Sequence, residues 1–387
     1  MFSSIRIRNY KGIEKTPQID LRRFHVLVGP NGSGKSTFLE AIQFLKSCVL
    51  RGPAAAVKDL VPQYRDLTFQ RRGGPIEFDV GLRFGTASTD QRGLLNYRLV
   101  LTFDDQAGVC IVEEVLRRGS SSRLLGKSAN GNDFYRRETG VQTDRFQFGP
   151  GRLALSNTPP DSTRYPTGNR VRDFIVRGVR KIQLNSVAMR EPAPATSSAE
   201  LELDGTNLPR VVGNLLKNGD TTPSAGGRAA VSRWTEHLKY ALDDLESIGW
   251  AAREPDNAEY LVLRFKGGLE CPNWLLSDGT LRMLALTLPA FVPAEPSLYM
   301  VEEPENGVHP HAIEVIVKAL AAIPEAQVFV ATHSPLVVQQ CGVTPLLCFA
   351  RDERRGVRIT RGTSHPALRD WKGTPELSSI FASRVLG

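Results

Sequence analysis

The feature that most constrains this chain is a glycine-rich motif placed directly after a short apolar run. The run, Phe-His-Val-Leu-Val at 24–28, is typical of a buried strand. The motif has the form G-x-x-x-x-G-K-[ST] and consists of Gly29, Pro30, Asn31, Gly32, Ser33, Gly34, Lys35 and Ser36, followed by Thr37. A strand, a loop of small residues and a helix in this order predict a phosphate-binding loop, because backbone N–H groups and the helix N-terminus converge on one anion.

Two side chains of this loop predict specific contacts with a nucleotide. Lys35 can reach the β- and γ-phosphate oxygens, and the Ser36 hydroxyl can ligate Mg2+. We therefore expect ATP and Mg2+ as cofactors. Kinases, GTPases and motor proteins share such a loop, so the remainder of the chain must distinguish between these classes.

A second group of motifs lies far downstream, at 276–280 (Leu-Ser-Asp-Gly-Thr), 298–304 (Leu-Tyr-Met-Val-Glu-Glu-Pro) and 328–335 (Val-Phe-Val-Ala-Thr-His-Ser-Pro). Glu302 follows an apolar run and is expected to hold Mg2+, whereas Glu303 is expected to orient the water that attacks the γ-phosphate. The alternative is a solvated pair of glutamates at a strand end. Pro304 and the turn residues at 306–307 favour the catalytic interpretation.

Residues 276–280 resemble the signature motif of ABC-type ATPases, in which two subunits enclose two ATP molecules. The resemblance implies that the chain forms a homodimer on binding ATP and that Ser277 and Gly279 contact the nucleotide held by the partner subunit. It also identifies His333 as a switch histidine that senses the γ-phosphate, so the expected catalytic residues are Glu303, His333 and Lys35. A simple helix cap remains the alternative for Ser277, and a structural histidine remains the alternative for His333.

Four segments are similar to the SMC/RecF-like branch of these proteins, including predicted AAA-type ATPases related to the OLD family and bacterial defence ATPases: 5–12, 277–282, 302–310 and 332–335. This resemblance implies a switch that acts on DNA or a nucleoprotein, in genome maintenance or in anti-phage defence. An effector protein such as a nuclease is the expected partner, since the chain shows no nuclease motif of its own. The alternatives are an ABC ATPase subunit that energises a protein partner or a transporter without nucleic acid, and a small-molecule phosphotransferase.

Positive charge is concentrated in one part of the chain. The formal net charge is +8, and 117–181 holds 14 Lys or Arg against 5 Asp or Glu. This basic segment also contains the aromatic residues Phe134, Tyr135, Phe146, Phe148 and Tyr165. Basic and aromatic side chains together predict a surface that follows the DNA backbone and stacks on bases. A solvated basic loop or a surface for an acidic protein partner is the alternative.

These patterns predict an α/β fold: a P-loop ABC-type ATPase head with a small antiparallel β-subdomain and an inserted mixed or helical region. The expected domains are 1–84, 85–260 and 261–387. Within them we expect antiparallel strands near 76–84, 97–103 and 109–116, loops over 119–169, and helices over 208–216 and 231–248. Gln183 is a weak candidate for the Q-loop glutamine of the family. No secretion signal or membrane-length apolar run is present, so a cytoplasmic protein without membrane contact is expected.

Overall fold

A computed structural model describes residues 1–85, 94–119, 122–128, 133–138, 142–217, 226–254, 256–292, 295–352 and 354–368. The strands are β1 (Phe2–Tyr10), β2 (Ile13–Lys15), β3 (Ile19–Asp20), β4 (Phe24–Val28), β5 (Ile76–Arg83), β6 (Leu94–Asp104), β7 (Gly108–Arg118), β8 (Ser122–Ser128), β9 (Asp133–Arg136), β10 (Thr143–Phe146), β11 (Val179–Ile182), β12 (Leu245–Arg253), β13 (Ala258–Phe265), β14 (Leu269–Pro272), β15 (Ser297–Glu302), β16 (Ala326–Ala331), β17 (Leu346–Asp352) and β18 (Gly356–Arg361). The α-helices are α1 (Lys35–Arg51), α2 (Pro53–Leu60), α3 (Pro166–Asp173), α4 (Leu208–Lys217), α5 (Gly227–Leu238), α6 (Asp278–Thr287), α7 (Pro310–Ala322) and α8 (Pro335–Cys341).

Fifteen of the described strands form one large mixed sheet, in the order β10-β9-β8-β7-β6-β5-β1-β2-β18-β17-β4-β16-β15-β11, with β3 on β1. The strands from β17 to β11 run parallel, and those from β18 to β10 run antiparallel. Strands β12, β13 and β14 form a separate antiparallel sheet. The predicted α/β ATPase-head fold is confirmed.

Strand β4 lies in the middle of the parallel part, between β16 and β17. Leu27 faces one hydrophobic core, where Phe38 of α1 packs. Val26 and Val28 face the other core, which contains Leu284 of α6. Because both faces of the sheet are covered, the strand is apolar at consecutive positions rather than at alternate ones. This is the buried strand that the sequence predicts before the phosphate loop.

The strands predicted near 76–84, 97–103 and 109–116 are present as β5, β6 and β7. They do not form a sheet of their own, because β5 pairs with β1, with Ile7 opposite Phe78. The antiparallel strands therefore extend the sheet that carries the nucleotide motifs. No described helix has the length and apolar character needed to cross a bilayer. The domain division 1–84, 85–260 and 261–387 remains our proposal.

The prediction of a helix over 231–248 is wrong for the second half of that range. Helix α5 ends at Leu238, a short turn follows, and β12 begins at Leu245. Leu238, Leu242 and Leu245 fit a helical period, but Leu245 to Arg253 pairs with β13, with Ile248 opposite Leu263. The pairing with a neighbouring strand therefore overrides a local helical pattern, as short apolar segments often allow.

The prediction of loops over 119–169 is also wrong where β8, β9, β10 and α3 lie. Strands β8, β9 and β10 pair in succession, and α3 begins at Pro166. The predicted loop positions 120–121, 129–132 and 139–141 lie outside the described residues. These strands are short, and their polar sequence gives little periodicity from which to predict them.

Candidate nucleotide-binding site

The phosphate-loop motif connects β4 to α1 and is packed tightly against two neighbouring strands. Gly29 and Gly34 have φ angles of 149° and 104°. A Cβ at Gly29 would lie 2.2 Å from the carbonyl oxygen of Phe349 in β17, and a Cβ at Gly34 would lie 2.3 Å from Cγ2 of Val357 in β18. Both positions therefore require glycine, for conformation and for space.

Lys35, the first residue of α1, bends back over the loop. Its Nζ donates to the carbonyl oxygens of Gly29 at 2.6 Å and Pro30 at 3.0 Å. Burial lowers the pKa of Lys35, and the nearby carboxylates of three glutamates raise it again: Glu303, Glu305 and Glu302. The ammonium group is thus held at the loop, close to the carboxylates that follow β15.

Ser36 and Glu302 meet although they are 266 positions apart in the chain. The Ser36 Oγ donates to Glu302 Oε2 at 3.2 Å. Glu302 Oε1 lies 3.1 Å from Lys181 Nζ, but this ion pair lacks hydrogen-bond geometry, and Oε1 is buried without a hydrogen bond among the described residues. A hydroxyl oxygen beside an incompletely satisfied carboxylate suits a hard cation, so these residues fit Mg2+.

The backbone turns sharply at Glu303, immediately after β15. Glu303 has a φ of 49°, and its N–H donates to the carbonyl oxygen of Ala331 at 2.7 Å. A non-glycine residue in this conformation costs about 1–3 kcal/mol and is often found at functional sites. The strain directs the carboxylate away from the strand, towards residues on the neighbouring loop.

The Glu303 carboxylate contacts two side chains and accepts a hydrogen bond from one of them. His333 Nδ1 lies 3.1 Å from Oε1, and the Asn306 amide donates to Oε2. The His333 contact is a close approach of the ring nitrogen to the carboxylate without hydrogen-bond geometry. The Glu303 side chain remains 41% exposed. The carboxylate is oriented, yet it is still open to solvent.

A second contact joins the two loops that carry Glu303 and His333. Thr332 Oγ1 donates to Glu305 Oε1 at 2.6 Å and accepts from the backbone N–H of Ser334 at 2.9 Å. These loops follow the neighbouring parallel strands β15 and β16. The contact therefore fixes His333 and Glu303 at the carboxyl ends of the parallel strands, beside the phosphate loop.

The signature-like segment begins a helix, so the cap given as the alternative for Ser277 is present. Ser277 is the N-cap of α6, and its Oγ accepts from the backbone N–H of Thr280 at 3.1 Å. A Cβ at Gly279 would lie 2.5 Å from the carbonyl oxygen of Gly307. Among the residues that the structure describes, no hydrogen bond or ion pair joins 276–280 to 29–37. The structure therefore brings the predicted residues Lys35, Ser36, Glu302, Glu303 and His333 to one site. The helix end at Ser277 is not bonded to the phosphate loop of that site.

Sequence reasoning missed three side chains of this site: Lys181, Glu305 and Asn306. Glu305 and Asn306 fall within the 302–310 segment, whose spacing alone gave them no role. Lys181 enters the site because β11 pairs in parallel with β15, a pairing that no local signal indicates. Gln183 is exposed and directly follows β11, whose last residue Ile182 is opposite Val301.

The predicted base-stacking surface is wrong for its aromatic residues. Tyr135 and Tyr165 are buried, and Phe146 and Phe148 pack on the same core. The ring centroid of Tyr135 lies 5.1 Å from that of Phe146 and 5.7 Å from that of Tyr165. Phe134 is half-buried against Gly126. Tyr135 and Tyr165 are therefore not presented to a nucleic acid, and the three phenylalanines are only partly exposed.

Half of the basic side chains in the basic segment are paired within the chain. Seven of them form ion pairs with carboxylates: Arg118, Lys127, Arg137, Arg164, Arg172, Arg180 and Lys181. Arg136 and Arg145 are exposed, and the register of β9 and β10 places them on one face. The surface available to a partner is therefore smaller than the charge count predicts.

Comparison with known families agrees with this geometry. The family described as "AAA domain, putative AbiEii toxin, Type IV TA system" matches residues 141–339, just over half of the chain. The chain belongs to this AAA-domain family. The AAA ATPase domain matches residues 1–68, so both halves of the site fall within ATPase segments. The search of curated proteins gives no significant match.

Solved structures show the same fold at low sequence identity. The SmcHead bound to the C-winged helix domain of ScpA is 12% identical, with a TM-score of 0.54 over 93% of this chain and 97% of that one. The Pyrococcus furiosus Smc head domain with an extended coiled coil, bound to the C-terminal domain of ScpA, is 13% identical, with a TM-score of 0.50 over 93% and 95%. The chain therefore has an SMC-head fold, which agrees with the predicted resemblance to the SMC/RecF-like ATPases.

Proposed function

We propose that this ATPase hydrolyses ATP with Mg2+ at composite sites formed by two copies of the chain, and that the ATP-bound dimer is a switch. The observation that carries the proposal is the convergence of Lys35, Ser36, Glu302, Glu303 and His333 at the ends of β4, β15 and β16. Residues from three distant segments of the chain are thus brought to one glycine-rich loop, as a nucleotide site requires.

Each residue has a role that its contacts support. Backbone N–H groups of 29–37 and Lys35 hold the phosphates, while Ser36 and Glu302 hold Mg2+. Mg2+ would neutralise charge on the β- and γ-phosphates. Glu303 orients water for attack on the γ-phosphate, and His333, whose Nδ1 lies 3.1 Å from Glu303 Oε1, would donate a hydrogen bond from its other ring nitrogen to the phosphate. The hydrogen-bonded loops keep this geometry fixed before ATP arrives.

The N-terminal end of α6, which has no hydrogen bond or ion pair with the phosphate loop among the described residues, supports a contribution from a second copy. The helix N-terminus at Ser277 suits an anion. Exposed apolar side chains lie around it: Val187, Trp274 and Leu275 are 74%, 42% and 67% exposed. Exposed apolar residues grouped around a functional motif are typical of an interaction surface.

A subunit-mixing experiment tests the composite site. Lys35→Ala removes the phosphate loop's cation, and Ser277→Arg blocks the signature, so each variant alone should be inactive. In a mixed dimer one phosphate loop meets one intact signature, so an equal mixture should recover about a quarter of the parent ATPase rate, because half of the dimers are mixed. Absence of recovery at every mixing ratio would contradict the shared site.

We further propose that the switch acts on DNA or a nucleoprotein, in genome maintenance or in defence with an effector protein such as a nuclease. The exposed Arg136 and Arg145 at the far edge of the sheet support this proposal, since they have no ion pair among the described residues and exposed basic side chains bind phosphate backbones. The alternative is a protein cargo without nucleic acid, and an acidic partner would suit the same surface. Binding of duplex DNA at several salt concentrations distinguishes the two, as described in the Discussion.

A further inference from the structure

A short segment of the chain connects the Mg2+ side of the candidate site to the signature. It begins in β11, where Lys181 Nζ lies 3.1 Å from Glu302 Oε1. It ends at Arg190, whose Nη2 donates to the carbonyl oxygen of Leu276 at 3.1 Å and whose guanidinium also forms an ion pair with Asp278. Arg190 therefore binds the residues on both sides of the signature Ser277.

The backbone around Arg190 is itself fixed to the signature segment. The side-chain amide of Asn273, which is 1% exposed, donates to the carbonyl oxygens of Met189 and Arg190 at 3.0 Å each. Arg190 Nη1 also donates to the carbonyl oxygen of Ser186 at 3.2 Å. These bonds leave the guanidinium little freedom, so its position next to α6 is determined before any ligand binds.

The ion pair between Arg190 and Asp278 affects how the signature would meet a phosphate. Asp278 is the first residue of α6, so its carboxylate lies at the helix end that would face a phosphate. A carboxylate there would repel the phosphate, and the Arg190 guanidinium offsets that negative charge. The bond to the Leu276 carbonyl oxygen also fixes the residue that precedes Ser277. We infer that Arg190 is a positioning residue, which orients and neutralises the signature for the ATP held by the second copy.

This inference rests on the proposed composite site, and it assigns Arg190 to the signature half of that site. The alternative assignment follows from the same segment: through β11 and Lys181, Arg190 would support the phosphate loop of its own subunit. The two assignments differ in which subunit of a mixed dimer can supply the missing function.

Arg190→Gln distinguishes them, because it removes the ion pair while keeping a polar side chain. We expect the variant alone to bind ATP with the parent affinity and to hydrolyse it at least about tenfold more slowly, since a misplaced positioning group slows the reaction without weakening binding to the intact loop. Mixed with Lys35→Ala, it should recover ATPase activity to the same level as the Ser277→Arg and Lys35→Ala mixture. Glu302→Gln, a phosphate-loop-side control, should not recover when mixed with Lys35→Ala.

Each result has a distinct meaning. If Lys35→Ala recovers ATPase activity when mixed with Ser277→Arg but not when mixed with Arg190→Gln, the inference about Arg190 is overturned and the composite site stands. Recovery with neither variant would overturn the composite site itself. If Arg190→Gln does not give a folded dimer, Arg190→Lys keeps the charge and loses the two-sided contact, and the same mixing with Lys35→Ala applies to it. A normal ATPase rate for folded Arg190→Gln would also overturn the inference.

Discussion

The parallel and antiparallel ends of the large sheet both carry charged side chains, but they leave those side chains with different partners. At the antiparallel end, Glu114 of β7 is fully buried, and its two oxygens accept from the Tyr97 hydroxyl and from the backbone N–H groups of Ala154 and Leu155. At the parallel end, Glu302 Oε1 is buried without a hydrogen bond among the described residues. Satisfied buried groups hold a fold together, whereas a carboxylate oxygen that lacks a hydrogen bond beside a phosphate loop can accept a cation.

The two ends of the sheet also use their basic side chains differently. Arg137 of the antiparallel end binds Asp144 through two nitrogens, at 2.7 and 2.6 Å, and Tyr165 donates to the same carboxylate. Among the described residues, Lys35 of the parallel end binds only backbone carbonyl oxygens, so phosphates can replace those contacts. Substitutions at the parallel end should therefore change ligand chemistry, and substitutions at the antiparallel end should change stability.

Lys35→Ala should give the largest effect. The side chain is the only described cation of the loop motif, and removing it leaves phosphate oxygens without a charge-assisted bond worth about 1.5–3 kcal/mol, or more in a buried site. ATP affinity measured with a fluorescent analogue should fall at least about 100-fold, with an unchanged melting temperature. Lys58→Ala, an exposed lysine on α2, is the control. Unchanged affinity in Lys35→Ala would place the nucleotide elsewhere.

Glu303→Gln should retain ATP and lose hydrolysis. The amide keeps the shape of the side chain but cannot act as the base that orients water, so the turnover rate should fall about 100-fold or more. Light scattering with ATP and Mg2+ should show a trapped dimer. Glu314→Gln, on the exposed face of α7, should behave as the parent. A fully active and monomeric Glu303→Gln protein would be incompatible with the mechanism.

Glu114→Leu tests the antiparallel end. The change leaves the Tyr97 hydroxyl and two backbone N–H groups without an acceptor, so the free energy of unfolding should fall by about 3–5 kcal/mol. Denaturant unfolding measures this loss. ATP affinity of the protein that remains folded should match the parent, and a large loss of affinity there would show that the two ends are coupled.

The same carboxyl group should make stability depend on pH. Burial raises the pKa of Glu114 from 4.5 to about 7, although hydrogen bonds from Leu155, Ala154 and Tyr97 oppose the shift. The folded protein then keeps a proton that the unfolded chain releases, so this contribution is complete below about pH 4.5 and is lost as the pH rises through about 7. Melting temperatures should therefore fall between about pH 5 and 8 in the parent, and this part of the slope should vanish in Glu114→Gln.

Reversal of Arg136 and Arg145 to Glu should give the smallest effect. Each phosphate contact that is lost should reduce the slope of log affinity against log salt by about 0.9 on duplex DNA. Arg137 is kept, because its pair with Asp144 supports the fold. Lys318→Glu with Arg264→Glu makes the same charge change elsewhere and should leave the slope unaltered. If the variant with Arg136 and Arg145 reversed has the same slope as the parent, this surface does not bind DNA, and an acidic protein partner is favoured. ATPase activity should be unaffected in both.

The nucleotide end could be predicted because its signals are local. The phosphate loop is defined by glycines at fixed spacing between a strand and a helix, and the structure explains two of those glycines by positive φ and by contacts with β17 and β18. Glu302 and Glu303 follow an apolar strand directly, and Ser277 caps the helix that it precedes. For each of these features, the residues that define it are neighbours in the chain.

The sequence by itself thus determined the strand, loop and helix of the phosphate site and the family of ATPases to which the chain belongs. Only the tertiary structure decided that β8–β10 extend the sheet, that half of the basic segment is internally paired, and that Lys181 and Arg190 contact Glu302 and the signature. The physical reason is sequence separation. Strand pairing, burial and ion pairs between distant residues depend on which elements become neighbours, and short polar strands carry too little periodicity to show that in advance.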